Sequence, residues 1–254
     1  PGTFVAPWQW AWFLIASSFL TTAATVYESA LIWRILGFGA IALVLLASLI
    51  SGQTTATLLV PIICFVLLWV TEKNKKLLIY KLAIATFLAV LIANNFGVFG
   101  STLDSIISRW NYTPPQDFIV NQFNWITQDG VPILGNGLGK AASAARKLGK
   151  IKLIETFYPR LLYEIGWLGT LVFFGVVSLI TFATFKICQS LRKSSLHSLG
   201  ICLWLFILLI SYNTFYYPLA IEPVNVYYWF FVGVLLKLPT IERIDREINY
   251  QADN

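Results

Sequence analysis

The residues best suited to chemistry fall in one stretch, Gly130 to Gly169, which reads GVPILGNGLGKAASAARKLGKIKLIETFYPRLLYEIGWLG. Three closely spaced glycines, Gly135, Gly137 and Gly139, lead into a basic run of Lys140, Arg146, Lys147, Lys150 and Lys152. Glu155, Arg160 and Glu164 then stand before the next apolar segment. A carboxylate within reach of a hydroxyl can act as a general base. Guanidinium groups clamp phosphate oxygens through paired hydrogen bonds, and lysines add point charge. Arg109 and Arg160 each lie beside aromatic and apolar residues at the edge of an apolar segment, which favours an anionic ligand for both. For the lysines, and for Arg146 within their run, an anionic ligand and anionic lipid headgroups are both open readings.

The glycines do not form a P-loop, because Lys140 is followed by Ala141. They are not a dinucleotide fingerprint either: the third glycine comes one residue early and no strand–helix–strand unit surrounds it. They read as a tight structural turn that only glycine tolerates, with a short helix expected over AASAARKLGK. A turn opening a helix also exposes amide groups that favour an anion. Glu164 follows Arg160 at helical i, i+4 spacing, so its expected role is an ion pair. Glu155 has no such neighbour and is the candidate general base.

The elements that position these residues are membrane helices. Of the residues, 57% are hydrophobic and 12% charged, with a mean hydropathy of +0.72, far from the roughly 25% charged of a soluble domain. The chain starts at Pro1 and has no methionine, so the C-terminal portion of a longer protein is expected, and no secretory signal opens it. Cys64, Cys188 and Cys202 lie in or beside apolar segments, suggesting neither disulfides nor a metal cluster. His197, alone in a basic linker, reads as surface. No metal, cofactor or nucleic acid is expected.

A bilayer core needs about 20 apolar residues per helix, which places spans at about 8–26, 31–50, 55–71, 77–97, 161–186, 198–217 and 224–239. The expected fold is therefore an all-α polytopic membrane protein. Residues 1–97 hold about four transmembrane helices, 98–160 form one large extracytoplasmic loop with short helices, 161–239 hold about three more helices, and 240–254 are a cytoplasmic tail. Lys73, Lys75, Lys76 and Lys81, then Lys186, Arg192 and Lys193, then Lys237, Arg243 and Arg246 all fall on one face of that arrangement. The excess of Lys and Arg in cytoplasmic loops makes this face cytoplasmic and the loop 98–160 external. Trp8, Trp10 and Trp12 suit the headgroup level. Most of the aromatic residues near the outer ends (Trp110, Tyr112, Trp125, Tyr158, Trp167, Tyr212, Tyr216 and Tyr217) read as an interfacial belt rather than a sugar-stacking surface.

The order VPILGNGLG followed by E-x-x-Y-x-x-x-L-x-E-x-G-x-x-G resembles the O-antigen ligase and O-antigen polymerase superfamily of bacterial envelope glycan assembly. There, a glycine-rich turn in the large periplasmic loop precedes a His/Glu-Asn motif at the next helix. Here the turn is Pro132 to Gly139, and the second motif runs from Glu155 through Tyr158, Leu162, Glu164 and Gly166 to Gly169. The resemblance covers roughly residues 40 to 180, and the chain is also similar to hormogonium-polysaccharide proteins of cyanobacteria in that broad group. It implies a metal-independent glycosyltransferase of the inner membrane, with an undecaprenyl-diphosphate-linked glycan as donor and a glycan or lipid, such as lipopolysaccharide, as acceptor. On that reading Arg109 and Arg160, helped by Lys140 and Arg146, hold the diphosphate and Glu155 activates the acceptor. Two positions depart from the family: Ser51-Gly52-Gln53-Thr54-Thr55 stands where S-G-S-R-G is common, and Thr156 replaces the Asn. Two other functions compete. A polysaccharide transporter should show internal repeats and charges at mid-span, and neither is visible. A non-enzymatic component of a polysaccharide-synthesis complex fits the missing arginine.

Overall fold

A computed structural model describes residues 6–71, 114–128, 130–141, 151–192, 194–214, 218–220 and 222–252, with isolated positions between 87 and 112. Seven α-helices lie among them: α1 (Pro7–Tyr27), α2 (Leu31–Ile50), α3 (Thr54–Thr71), α4 (Pro115–Thr127), α5 (Phe157–Ser190), α6 (Ser194–Tyr212) and α7 (Val224–Ala252). All but α4 are long and apolar enough to cross a bilayer, so the chain is a multi-pass membrane protein with six such helices among the described residues. The expected span 77–97 lies outside the described residues apart from Phe87 and Leu91, as does 142–150 of the expected loop helix.

The core forms around α1, which packs against α2, α3, α6 and α7. Small residues, Ala11, Ala16, Ser18 and Ala23, are buried on it, and they let neighbouring helices approach closely. Two buried hydroxyls of α1 bond within the helix: Ser18 Oγ donates to the Ile15 carbonyl at 2.6 Å and Thr25 Oγ1 to that of Thr21 at 2.6 Å. With no water in the hydrocarbon, such internal bonding spares the cost of an unpaired hydroxyl. Larger side chains, Trp12, Ile15 and Phe19, fill the remaining space, with Phe19 edge-on to Phe206 of α6. Leu31, Ile32, Ile35, Leu36 and Leu43 of α2 point outward, which suits a lipid-facing surface.

Helices α5, α6 and α7 are joined by a buried polar network. The Tyr158 hydroxyl donates to the Ser211 carbonyl, Ser211 Oγ lies 2.9 Å from the Tyr228 hydroxyl, and Thr181 Oγ1 lies 3.2 Å from Ser211 Oγ. Tyr158 is thus a buried structural residue rather than part of an interfacial belt, and Tyr212 bonds Ser178 Oγ across to α5.

Both ends of this half of the bundle are tied. At one end the Arg192 amide donates to Glu242 Oε1 at 2.8 Å, and Arg246 Nη2 lies 3.6 Å from Glu242 Oε2. The cations following α5 and those at the end of α7 therefore share one end, as the charge pattern requires. The lysines between residues 73 and 81 lie outside the described residues. At the opposite end the Phe157 amide donates to the Thr214 carbonyl at 3.0 Å.

Three boundaries differ from those read off the apolar runs. Helix α5 begins at Phe157 and so includes Pro159 and Arg160, because proline is tolerated in a first helical turn where its missing N–H has no partner to lose. Helix α6 stops at Tyr212. Helix α7 continues past Pro239 to Ala252, taking in most of the expected tail. Pairs at i, i+4 support that extension: Glu242 with Arg246, and Arg243 with Glu247 at 3.7 Å.

Candidate functional site

Helix α5 is broken near its start. Gly166 has φ 70° and ψ −174°, a combination open in practice only to glycine, so the helical hydrogen-bond ladder stops there. An unbroken helix would use the Tyr163 and Glu164 carbonyls for amides four residues ahead. Instead they face the glycine turn. Asn136 donates to the Tyr163 carbonyl from its backbone at 2.9 Å and from Nδ2 at 3.2 Å, and the Gly137 amide reaches the Glu164 carbonyl at 3.0 Å. In return, the Leu168 amide donates to the Ile133 carbonyl at 3.2 Å. The two sequence motifs thus interlock backbone to backbone. The approach is too close for any side chain: a Cβ on Gly135 would lie 2.4 Å from the Glu164 carbonyl oxygen, and one on Gly166 would lie 2.2 Å from that of Ile133.

Side chains complete the joint. Glu164 is 7% exposed, accepts the Ala141 amide on Oε1 at 3.1 Å and has Arg160 Nε 3.5 Å from the same oxygen. It therefore closes the glycine turn onto α5 while holding Arg160, the structural role its spacing suggests. Glu164→Ala would leave a buried amide and a cation without that acceptor. It should cost about 1–3 kcal/mol, read as a lower melting temperature and lower abundance. An unchanged melting temperature would remove this role.

Helix α4 covers the joint from outside. Ile126 on α4, Ala141, Ile154 and Leu162 form a second small core, flanked by Phe123, Val131 and Tyr163. Lys152 Nζ donates to the Trp125 carbonyl at 2.7 Å and sits 4.5 Å from the Trp125 ring centroid and 5.9 Å from that of Tyr163. Its amide also bonds the Lys140 carbonyl at 3.0 Å. Lys152 is therefore held in place, and Lys140 remains exposed beside it.

Glu155 precedes α5 in extended chain, its amide bonded to Gln122 Oε1 at 3.0 Å. The residue is half-buried, and its carboxylate has no hydrogen-bond or ion-pair partner among the described residues. Next to it, the Thr156 hydroxyl is buried and unpartnered among the described residues, as is that of Thr214, whose carbonyl receives the Phe157 amide.

Of the residues singled out from sequence, the fold brings together Gly135, Gly137, Gly139, Lys140, Arg160 and Glu164, with Glu155 five residues before Arg160 at the same end of α5. Arg109 and Arg146 lie outside the described residues. Asn136, Gln122, Lys152 as a ring-bound cation and Thr156 were not singled out for these roles. Only the Lys152 contact had a sequence signal, a lysine and aromatics within one loop. No family model matches the chain, and no curated protein or solved structure matches it.

Proposed function

We propose that the chain is an integral-membrane glycosyltransferase of the O-antigen ligase or polymerase kind. It would move a glycan from undecaprenyl diphosphate onto an acceptor hydroxyl in cell-surface polysaccharide assembly. The observation that carries this reading is the joint itself: the half-buried Glu155, whose carboxylate is unpaired among the described residues, and the cations Lys140, Lys152 and Arg160 stand at the one end of a membrane bundle where the glycine turn docks.

In the proposed reaction the acceptor oxygen bonds to the anomeric carbon as the bond from that carbon to the diphosphate oxygen breaks. Glu155 takes the acceptor proton, and undecaprenyl diphosphate leaves carrying the electron pair and new negative charge. Cations aimed at that charge are the largest catalytic contribution available, and they require no metal. The basic clusters at the opposite end of α5 and α7 favour a cytoplasmic location for that end. The site then faces the extracytoplasmic side of a bacterial plasma membrane, where lipid-linked glycans are used.

The test is transfer by the protein in proteoliposomes given an undecaprenyl-diphosphate-linked oligosaccharide and acceptor. The wild type should release undecaprenyl diphosphate. Arg160→Lys keeps a cation for Glu164 but loses the planar fork that matches phosphate. It should retain the wild-type melting temperature and lose at least about tenfold in turnover, the effect of 1.4 kcal/mol. Wild-type turnover in Arg160→Lys would remove Arg160 from the site, and no release by the wild type under any acceptor would sink the reading.

A further inference from the structure

The turn that docks on α5 carries its largest side chains outward. Ile133, Leu134 and Leu138 are 70%, 75% and 81% exposed. An isolated exposed leucine needs no explanation, but three at the tip of one nine-residue turn form a patch, and patches mark contact surfaces. The small core beneath the turn is filled by other residues, Ile126, Ala141, Ile154 and Leu162.

The depth of the patch follows from α5. Glu164 and Lys186 bound its uncharged run and are 22 residues apart. The 20 residues from the break at Gly166 to Lys186 span about 30 Å at 1.5 Å per residue, the thickness of bilayer hydrocarbon. Leu168 therefore lies within the first turn of the hydrocarbon-crossing segment. Its amide bonds the Ile133 carbonyl at 3.2 Å, which pins the turn at the same depth. Trp167, Leu168 and Leu171 are also exposed, at 51%, 52% and 66%, so the lipid-facing side of α5 runs on into the turn. An indole at this level suits the interface.

Non-helical backbone at membrane depth is tolerated only where its polar groups are satisfied by protein. Where the turn docks on α5 it meets that condition, since the amides of Gly135, Asn136 and Gly137 donate to Pro132, Tyr163 and Glu164, and the backbone at its tip needs no protein partner at the hydrated headgroup level. Lys140, exposed immediately after it, would keep its ammonium among the headgroups.

We propose that residues 131–139 form a membrane wedge, with Ile133, Leu134 and Leu138 seated at the boundary between headgroups and acyl chains of the leaflet at this end of the bundle. The partner is the lipid surface itself. The inference does not depend on the reaction assigned above, although it would set Arg160 and Lys140 at headgroup depth.

The full chain would be reconstituted into phosphatidylcholine–phosphatidylglycerol vesicles carrying Leu134→Cys or Leu138→Cys labelled with an NBD fluorophore. The native cysteines, Cys64, Cys188 and Cys202, are buried, and unsubstituted protein measures background labelling. Tyr250→Cys, on the exposed end of α7, serves as the reference away from the bilayer. Lipids with a doxyl group at acyl position 5 should quench the probes at 134 and 138 at least about twofold more than the probe at 250, and more than lipids labelled at position 12. Leu134→Asp should not lower the melting temperature in detergent, because the side chain is three-quarters exposed, yet should lessen the protection of this turn from aqueous iodide. Doxyl quenching at 134 and 138 no stronger than at 250 overturns the wedge.

Discussion

Glu155→Gln should lower turnover about 100-fold or more, the usual scale of a lost general base, while the protein remains inserted and abundant. The substitution keeps the shape of the side chain and removes its ability to take a proton. Folding should be spared for a specific reason. Residue 155 is anchored through its backbone amide on Gln122, and its carboxylate has no partner among the described residues to lose. Donor binding should persist, because the cations proposed to hold the diphosphate are other residues. Glu155→His offers a second base, and imidazole keeps its proton to higher pH than a carboxylate. That variant should recover part of the activity, with the acid limb of the pH–rate profile moved upward. Turnover of Glu155→Gln at the wild-type rate would place the base elsewhere.

The second large effect is expected at Gly166. A Cβ there would lie 2.2 Å from the Ile133 carbonyl oxygen and 2.3 Å from the Gly135 nitrogen. These are backbone atoms of a closed joint, so neither can swing aside as a side-chain tip could. The φ of 70° adds strain of about 1–3 kcal/mol for any other residue. Gly166→Ala should therefore release the turn from α5, lower the melting temperature and abolish turnover through loss of the joint. Undocking should also open the chain beside Lys140 and Lys152 to trypsin. Gly135→Ala strikes the same contact from the other side, so the double substitution should cost much less than the sum of the two. A Gly166→Ala protein with the wild-type melting temperature and digestion pattern would show that the joint is not needed for folding.

Much of this protein is written in short-range patterns. Apolar runs of about 20 residues locate α1 to α3 and α5 to α7 within a few residues at most ends, because lipid leaves the backbone no alternative to internal bonding. Spacing of four residues paired Glu164 with Arg160, since neighbours on a helix face meet whatever surrounds them. The glycines announced a tight turn, and two carboxylates nine residues apart were separated into one with a local cation and one without.

The tertiary structure decided what the turn is for. Ile165-Gly166-Trp167 reads as ordinary helix, and nothing in those letters says that two carbonyls are given up to Asn136 and Gly137 of a distant loop. Bonds between backbones have no side-chain signature, and the close approach shows only once both glycines are in space. Tyr158 shows the same limit. As a letter near a membrane boundary it suits an interfacial belt, yet it lies buried with its hydroxyl on the Ser211 carbonyl, because α6 and α7 close over it. The C-terminal limit of α7 also escaped the apolar pattern, which ends where lipid ends, while helix continues wherever charges pair along one face and Glu242 can hold the neighbouring connection. Sequence periodicity reports the solvent that each residue meets. Which backbone meets which is settled only by the packing of the whole chain.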